Sequence, residues 1–194
     1  MLWVILGVLV VLAIWAVSVY NGLIAARNAF KNAFAQIDVQ LQRRHDLIPN
    51  LVEAVKGYMN FERETLQRVI EARALAVSGL GAARANPGDP AAMQQLSGAE
   101  NMLTQALGRL FAVAEAYPDL KANQNMLALQ EELSSTENRI AFARQAYNDA
   151  VMNYNNRREM FPGNLVANFF GFGPGALLEV ESPEARKAPR VSFG

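Results

Sequence analysis

Apolar residues recur by sevens along residues 120–158, LKANQNMLALQEELSSTENRIAFARQAYNDAVMNYNNRR, at Met126, Leu133, Ile140, Tyr147 and Tyr154. A second row follows three residues on, at Leu129, Thr136, Ala143 and Ala150. Two such rows form one seam on a helix, and the stretch contains neither Pro nor Gly. At 1.5 Å per residue the predicted rod is about 58 Å long, and it stays folded only if other helices cover its seam.

Upstream, Leu23, Phe30, Phe34, Ile37 and Leu41 step by threes, fours and sevens, with Asn28, Lys31, Asn32 and Gln36 opposite, which predicts an amphipathic helix. The stripe resumes at Leu51, Val52, Val55 and Met59. Pro49 between them removes a backbone donor and disfavours helix at Ile48, so a kink or restart is expected there. Gly57 and Asn60 mark its end, with Asn60 placed to cap a second helix from residue 61 to about 77 that presents Leu66, Val69, Ile70 and Val77. Residues 78–90, SGLGAARANPGDP, read as a loop by their Gly, Pro and small residues. Asp89 and Pro90 read as N-cap and first residue of a third helix. That helix runs to about Ala116, with Leu96, Leu103 and Leu110 by sevens and Leu107 and Phe111 alongside. The short break at Tyr117-Pro118-Asp119 folds it antiparallel to the rod.

Residues 1–26 contain no Asp, Glu, Lys or Arg. Residues 2–20 are about 28 Å long as a helix, against a hydrocarbon thickness of about 30 Å. Trp3, Trp15 and Tyr20 lie towards the ends, where interfacial anchors sit. A cleaved signal peptide would need a basic n-region and a small-residue cleavage site, and neither is evident. The predicted class is therefore all-α: a single N-terminal transmembrane helix followed by an elongated antiparallel bundle of about four long helices. The predicted divisions are an anchor at 1–26, the bundle at 27–160, and a Phe/Gly/Pro-rich segment with an extended C-terminal tail at 161–194. The anchor is expected to contribute nothing to folding of the bundle. Arg27 and Lys31 follow the span and nothing basic precedes it, which points to a single-pass protein of the bacterial inner membrane with its C-terminal domain in the cytoplasm, a periplasmic domain being the alternative.

Composition narrows the function. Lys+Arg and Asp+Glu are 18 each, which argues against a nucleic-acid binder. With no cysteine there are no disulfides, thiolate nucleophiles or Cys-ligated metals. The single histidine, His45, has Gln42 three residues before it, so the paired Glu-x-x-His of di-iron bundles is absent. No serine stands in a nucleophile elbow, and GLGAAR lacks the Lys of a phosphate loop. No catalytic, cofactor-binding or metal-binding residue is assigned, and no cofactor is expected.

Two polar clusters remain: Arg43, Arg44, His45 and Asp46 beside Pro49, and Glu137, Asn138 and Arg139 with Arg144 and Asn148 on the rod. Arg and Asn beside a helical seam set register, and bidentate Arg contacts could alternatively hold a partner's carboxylate or an anionic head group. His45 reads as a partly exposed helix residue, and Tyr147 with Tyr154 as core. Phe161, Leu165, Phe169, Phe170 and Phe172 form a dense apolar group where regular helix ends, read as a contact between copies of the chain.

FAQIDVQLQRRHDLIPNLVEAVKGYMNFE resembles the N-terminal signature of the LemA family. AVAEAYPDLKANQNMLALQEELSSTENRIAFARQAYNDAVMNYNNRREMFPGNLVANFFGF resembles its second signature. DLIPNL, YPDLKAN, TENRIA and the spaced YN pairs occur together and in order, over about residues 20–180. The resemblance implies a short membrane segment, an antiparallel bundle of long helices, no enzyme activity, and roles in membrane organisation. Two positions depart from the family's pattern: Phe61 replaces a frequent His, and His45 stands in place of a Tyr or small residue. A membrane-anchored, self-associating scaffold that also engages other membrane proteins is the reading favoured. A membrane-shaping or lipid-binding protein is the alternative, and a hydrolase comes third.

Overall fold

The structure, a computed structural model, describes residues 1–58 and 62–179. Within them α1 (Leu2–Lys56), α2 (Arg63–Ala85), α3 (Pro90–Ala114), the single turn α4 (Pro118–Lys121), α5 (Gln124–Glu159) and α6 (Gly163–Phe169) follow in order. No strand occurs among the described residues, in agreement with the all-α expectation. Four long helices make the bundle: α1 packs antiparallel to α5 and α2 to α3, with α2 also on α1. An extended strap, residues 172–179, lies along α5.

Three expectations are corrected. The restart expected at Pro49 does not occur, since α1 runs unbroken from residue 2 to 56 with the proline inside it. Proline deprives the carbonyl four residues back, that of His45, of its helical donor. Arg73 Nε on α2 supplies a hydrogen bond to that carbonyl at 2.6 Å, so the helix passes through without an orphaned acceptor. Residues 78–85 are also helix, not loop, and the connection shrinks to residues 86–89. Beyond Val69 the buried stripe of α2 is built of Ala72, Ala76, Gly79, Leu80 and Ala83, while Ile70 and Val77 face out. Gly79 is there for close approach: a Cβ would stand 3.1 Å from the Leu96 Cα of α3. Small residues thus mark tight α2–α3 packing, where composition alone suggests a turn.

The third correction concerns the anchor boundary. Leu23 is 1% exposed and Ala26 is buried, and both belong to the core with Val19, Tyr20 and Ile24 packed against it. The bundle therefore starts before residue 26, because the amphipathic stripe of α1 begins while the chain still lacks charge. Residues 2–17 project beyond the bundle with their apolar side chains exposed. The N-terminal part of α1 is long and apolar enough for a single-pass membrane anchor.

Other expectations hold with small shifts. Asp89 caps α3 by accepting from the Ala92 N–H at 2.9 Å, with Pro90 as first helical residue. The long rod begins at Gln124, where Asn123 accepts from the N–H groups of Asn125 and Met126, so it is about 54 Å long. The proposed Asn60 cap, Met59 and Phe61 lie outside the described residues, as does the tail at 180–194.

Candidate functional site

Two apolar cores stack along the bundle. The one nearer the apolar end of α1 contains Phe30, Phe34, Ile37, Leu41, Leu96, Ile140, Tyr147 and Tyr154. The distal one contains Ile48, Leu51, Val69, Leu103, Leu110 and Leu133. Between them lies a polar layer to which every long helix contributes. Glu100 of α3, 1% exposed, pairs with the Arg44 guanidinium through Oε2 and accepts from His45 Nε2 through Oε1 at 2.7 Å. Arg73 of α2 holds the His45 carbonyl, and Glu137 of α5 stands 3.9 Å from Arg44 Nη1, beside buried Thr136. Both Glu100 oxygens are thus engaged by cation and imidazole donors. The chemistry of this carboxylate is recognition between helices, since displacing α3 by one turn would strand a buried charge.

The structure brings the two sequence-derived clusters together here. Arg44 meets Glu137, and Arg43 forms a surface ion pair with Glu132 at 2.5 Å. Asp46, Asn138 and Arg139 point outward, and Arg144 is half-buried. His45 is the exception to its reading: at 2% exposure it is a core residue, because Glu100 satisfies its ring. Glu100 and Arg73 are absent from the sequence-derived set. Glu100 carried a signal, for it falls on the stripe of Leu96, Leu103 and Leu107. Arg73 carried none without knowing which helix faces Pro49.

A second site lies on α5, where two Tyr-Asn pairs seven residues apart hold the strap. Tyr154 Oη donates to the Gly173 carbonyl and Tyr147 Oη to that of Ala176, each at 2.7 Å. Asn155 exchanges hydrogen bonds with the N–H and carbonyl of Gly175, both at 2.9 Å. Asn148 does the same with Leu178, at 2.9 and 3.3 Å. The registers agree: seven helical residues advance about 10.5 Å and three extended residues about 10 Å, so each repeat on α5 meets the next three residues of strap. Gly175 permits the approach, since a Cβ would sit 3.3 Å from Val151 Cγ1. Burial raises both phenols above their ordinary pKa, against the opposing charges of Arg27 and Arg158 at Tyr154.

A third group closes the end of the bundle nearest the apolar part of α1. Phe170 and Phe172 lie edge-on to Tyr20, with ring centroids 4.8 and 5.5 Å away. Phe172 is buried in the bundle's own core, so it is not a free contact residue. Phe161 at 78%, Leu165, Phe169 at 83% and Phe170 remain exposed.

Fold and site together define an all-α protein in which one helix carries an exposed apolar end into a bundle keyed by a buried ionic layer. Residues 33–193 match the LemA family, and the chain belongs to it. It is similar to Magnetosome protein MamQ 2 of Paramagnetospirillum magneticum, at 27% identity over 79% of this chain and 62% of that protein. It is also similar to Protein LemA of Metamycoplasma hominis, at 27% identity over 76% of this chain and 63% of that protein. Magnetosome protein MamQ of Magnetospirillum gryphiswaldense is 26% identical over 79% of the chain and 62% of its own length. The chain thus spans less than two thirds of the curated relatives it matches.

Proposed function

We propose that this protein is a membrane-anchored scaffold without catalytic activity, holding copies of itself and other membrane proteins at the bacterial inner membrane. The observation that carries the reading is the continuity of α1: one helix passes from the exposed apolar residues 2–17 into both cores, ending at Lys56. No break in the helix separates anchor from bundle, so the two move as one body. Such coupling suits a protein whose task is to present surfaces. The likeness to proteins named for the magnetosome is in keeping with it.

Copies meet side by side in the plane of the membrane, where shared anchoring raises their local concentration. Sedimentation of the full chain in mild detergent tests this: a defined oligomer is the expected result, and a monomer at all concentrations overturns it. Arg27 and Lys31 favour a cytoplasmic bundle. A cysteine introduced by Phe142→Cys, on an exposed position of α5, should resist a membrane-impermeant maleimide in intact bacterial cells and react after lysis. Labelling in intact cells would move the bundle to the periplasm.

A further inference from the structure

The apolar group read from the sequence as a contact between copies lies at the anchor end of the bundle, beside the apolar part of α1. α6 sets Gly163, Val166 and Ala167 against α1 and α5 and turns Leu165 and Phe169, four residues apart, outward. Met160 and Phe161 before it and Phe170 after it extend the exposed set. Its level along α1 is fixed by ring contacts, because Phe170 packs on Tyr20. Tyr20 closes an apolar run about 28 Å long, so it stands where a hydrocarbon core about 30 Å thick gives way to headgroups.

Cations follow at the next level. Arg157 is exposed, and a Cβ at Gly22 would lie 4.0 Å from its Nη1, which places that guanidinium about 3 Å beyond Tyr20. Arg27, stacked over Phe172 at 5.3 Å, lies about 10 Å beyond Tyr20. The headgroup zone is about 5–8 Å deep on each side of the bilayer. Arg27 therefore lies past the headgroups. Glu159, exposed at the same end of α5, is paired with Arg158 at 3.4 Å, which leaves Arg157 as the cation at headgroup level. Apolar side chains with a cation just above them are the order an interfacial helix presents to an anionic membrane surface.

We propose that α6 and its flanking residues form a foot bedded in the leaflet from which α1 emerges. Phe161, Leu165, Phe169 and Phe170 enter the outer acyl region, and Arg157 meets the phosphates of anionic phospholipids. The occupant is the bilayer and not a second copy, because the apolar surface adjoins the anchor at Tyr20 and carries Arg157 on its headgroup side. With α1 it gives the bundle two points of attachment, which restricts its tilt.

The inference rests on α1 being inserted, and one experiment separates the two. The chain has no cysteine, so single cysteines report alone. Leu165→Cys, Phe169→Cys, Leu9→Cys and Phe142→Cys in the full chain would carry an environment-sensitive dye. Each is reconstituted into phosphatidylcholine–phosphatidylglycerol vesicles containing nitroxide lipids at shallow or deep positions. Dyes at 165 and 169 should be blue-shifted and quenched by shallow nitroxides, that at 9 by deep ones, and that at 142 by neither. Quenching at 165 and 169 should persist as the protein is diluted in lipid. An unquenched dye at 9 overturns insertion itself. A quenched dye at 9 with aqueous emission at 165 and 169 overturns the foot alone, as does shielding that vanishes on dilution, which would assign these rings to a second copy. Arg157→Gln should weaken shallow quenching at 169 in phosphatidylglycerol vesicles and leave it unchanged in pure phosphatidylcholine. An equal effect in both overturns the headgroup contact.

Discussion

Glu100 joins Arg44 and His45 on α1, and its worth is measured by what its removal strands. A buried ion pair adds little over a well-packed apolar pair, whereas removing one partner leaves an uncompensated charge at a cost of about 3–5 kcal/mol. Glu100→Leu should therefore lower the melting temperature sharply, and adding Arg44→Met should recover much of the loss. If the double variant melts no higher than the single one, the layer contributes more than charge balance. Arg73 allows a second test at this scale. Losing its hydrogen bond to the His45 carbonyl should cost about 1–3 kcal/mol in Arg73→Ala. With Pro49→Ala restoring the helical N–H, the same substitution should cost clearly less. Equal costs in the two backgrounds would mean that Arg73 acts through its packing instead. At this scale the sequence was half legible. The basic cluster and Glu137 stood out as charges beside a seam, but their shared partner did not, because a glutamate inside an apolar stripe shows its role only once the facing helix is known.

The hydrogen-bond ladder between α5 and the strap accounts for a pattern that is otherwise only a spacing. The sequence shows Tyr147 and Tyr154 as heptad positions of a core seam, each followed by an asparagine. Their hydroxyls and the neighbouring amides bind a backbone some twenty to thirty residues further along, which no periodicity announces. Residues 78–85 look like a loop for a related reason, since alanines and Gly79 are weak as an apolar stripe yet suited to close helix packing. Two outcomes follow for the ladder. Asn155→Ala removes both partners of Gly175 and should destabilise by about 1–3 kcal/mol, read by thermal melting. The pH dependence has a definite sign. Tyr147 and Tyr154 are held neutral in the fold with raised pKa values, so their contribution is complete below the unfolded value of 10.0. It is lost as pH rises above that value towards their folded ones. Stability should fall through this alkaline window, and Tyr147→Phe should flatten the fall while costing a hydrogen bond at neutral pH.

At the scale of the molecule, α1 is at once anchor and first bundle helix, and the place where one role ends can be measured. Its stripe of buried residues begins at Leu23, with Val19 and Tyr20 packed against the same core. Tyr20 also supports Phe170 and Phe172, and through Phe172 the start of the strap. A chain beginning at Ser18 keeps all of these contacts and loses only the exposed apolar residues of α1, so in mild detergent it should be helical and cooperative in unfolding. A chain beginning at Arg27 loses Leu23, Ala26 and the Tyr20 ring. Burial of a leucine alone contributes about 1.5–3 kcal/mol, and the uncovered face of Phe172 adds to the loss. The shorter chain should melt at a lower temperature, and protease should cut its strap first, because the strap's anchor-end support is gone while the distal core from Ile48 to Leu133 is untouched. Equal melting of the two chains would show that the bundle closes without the first turns of its own helix, and the anchor would then be a separable appendage.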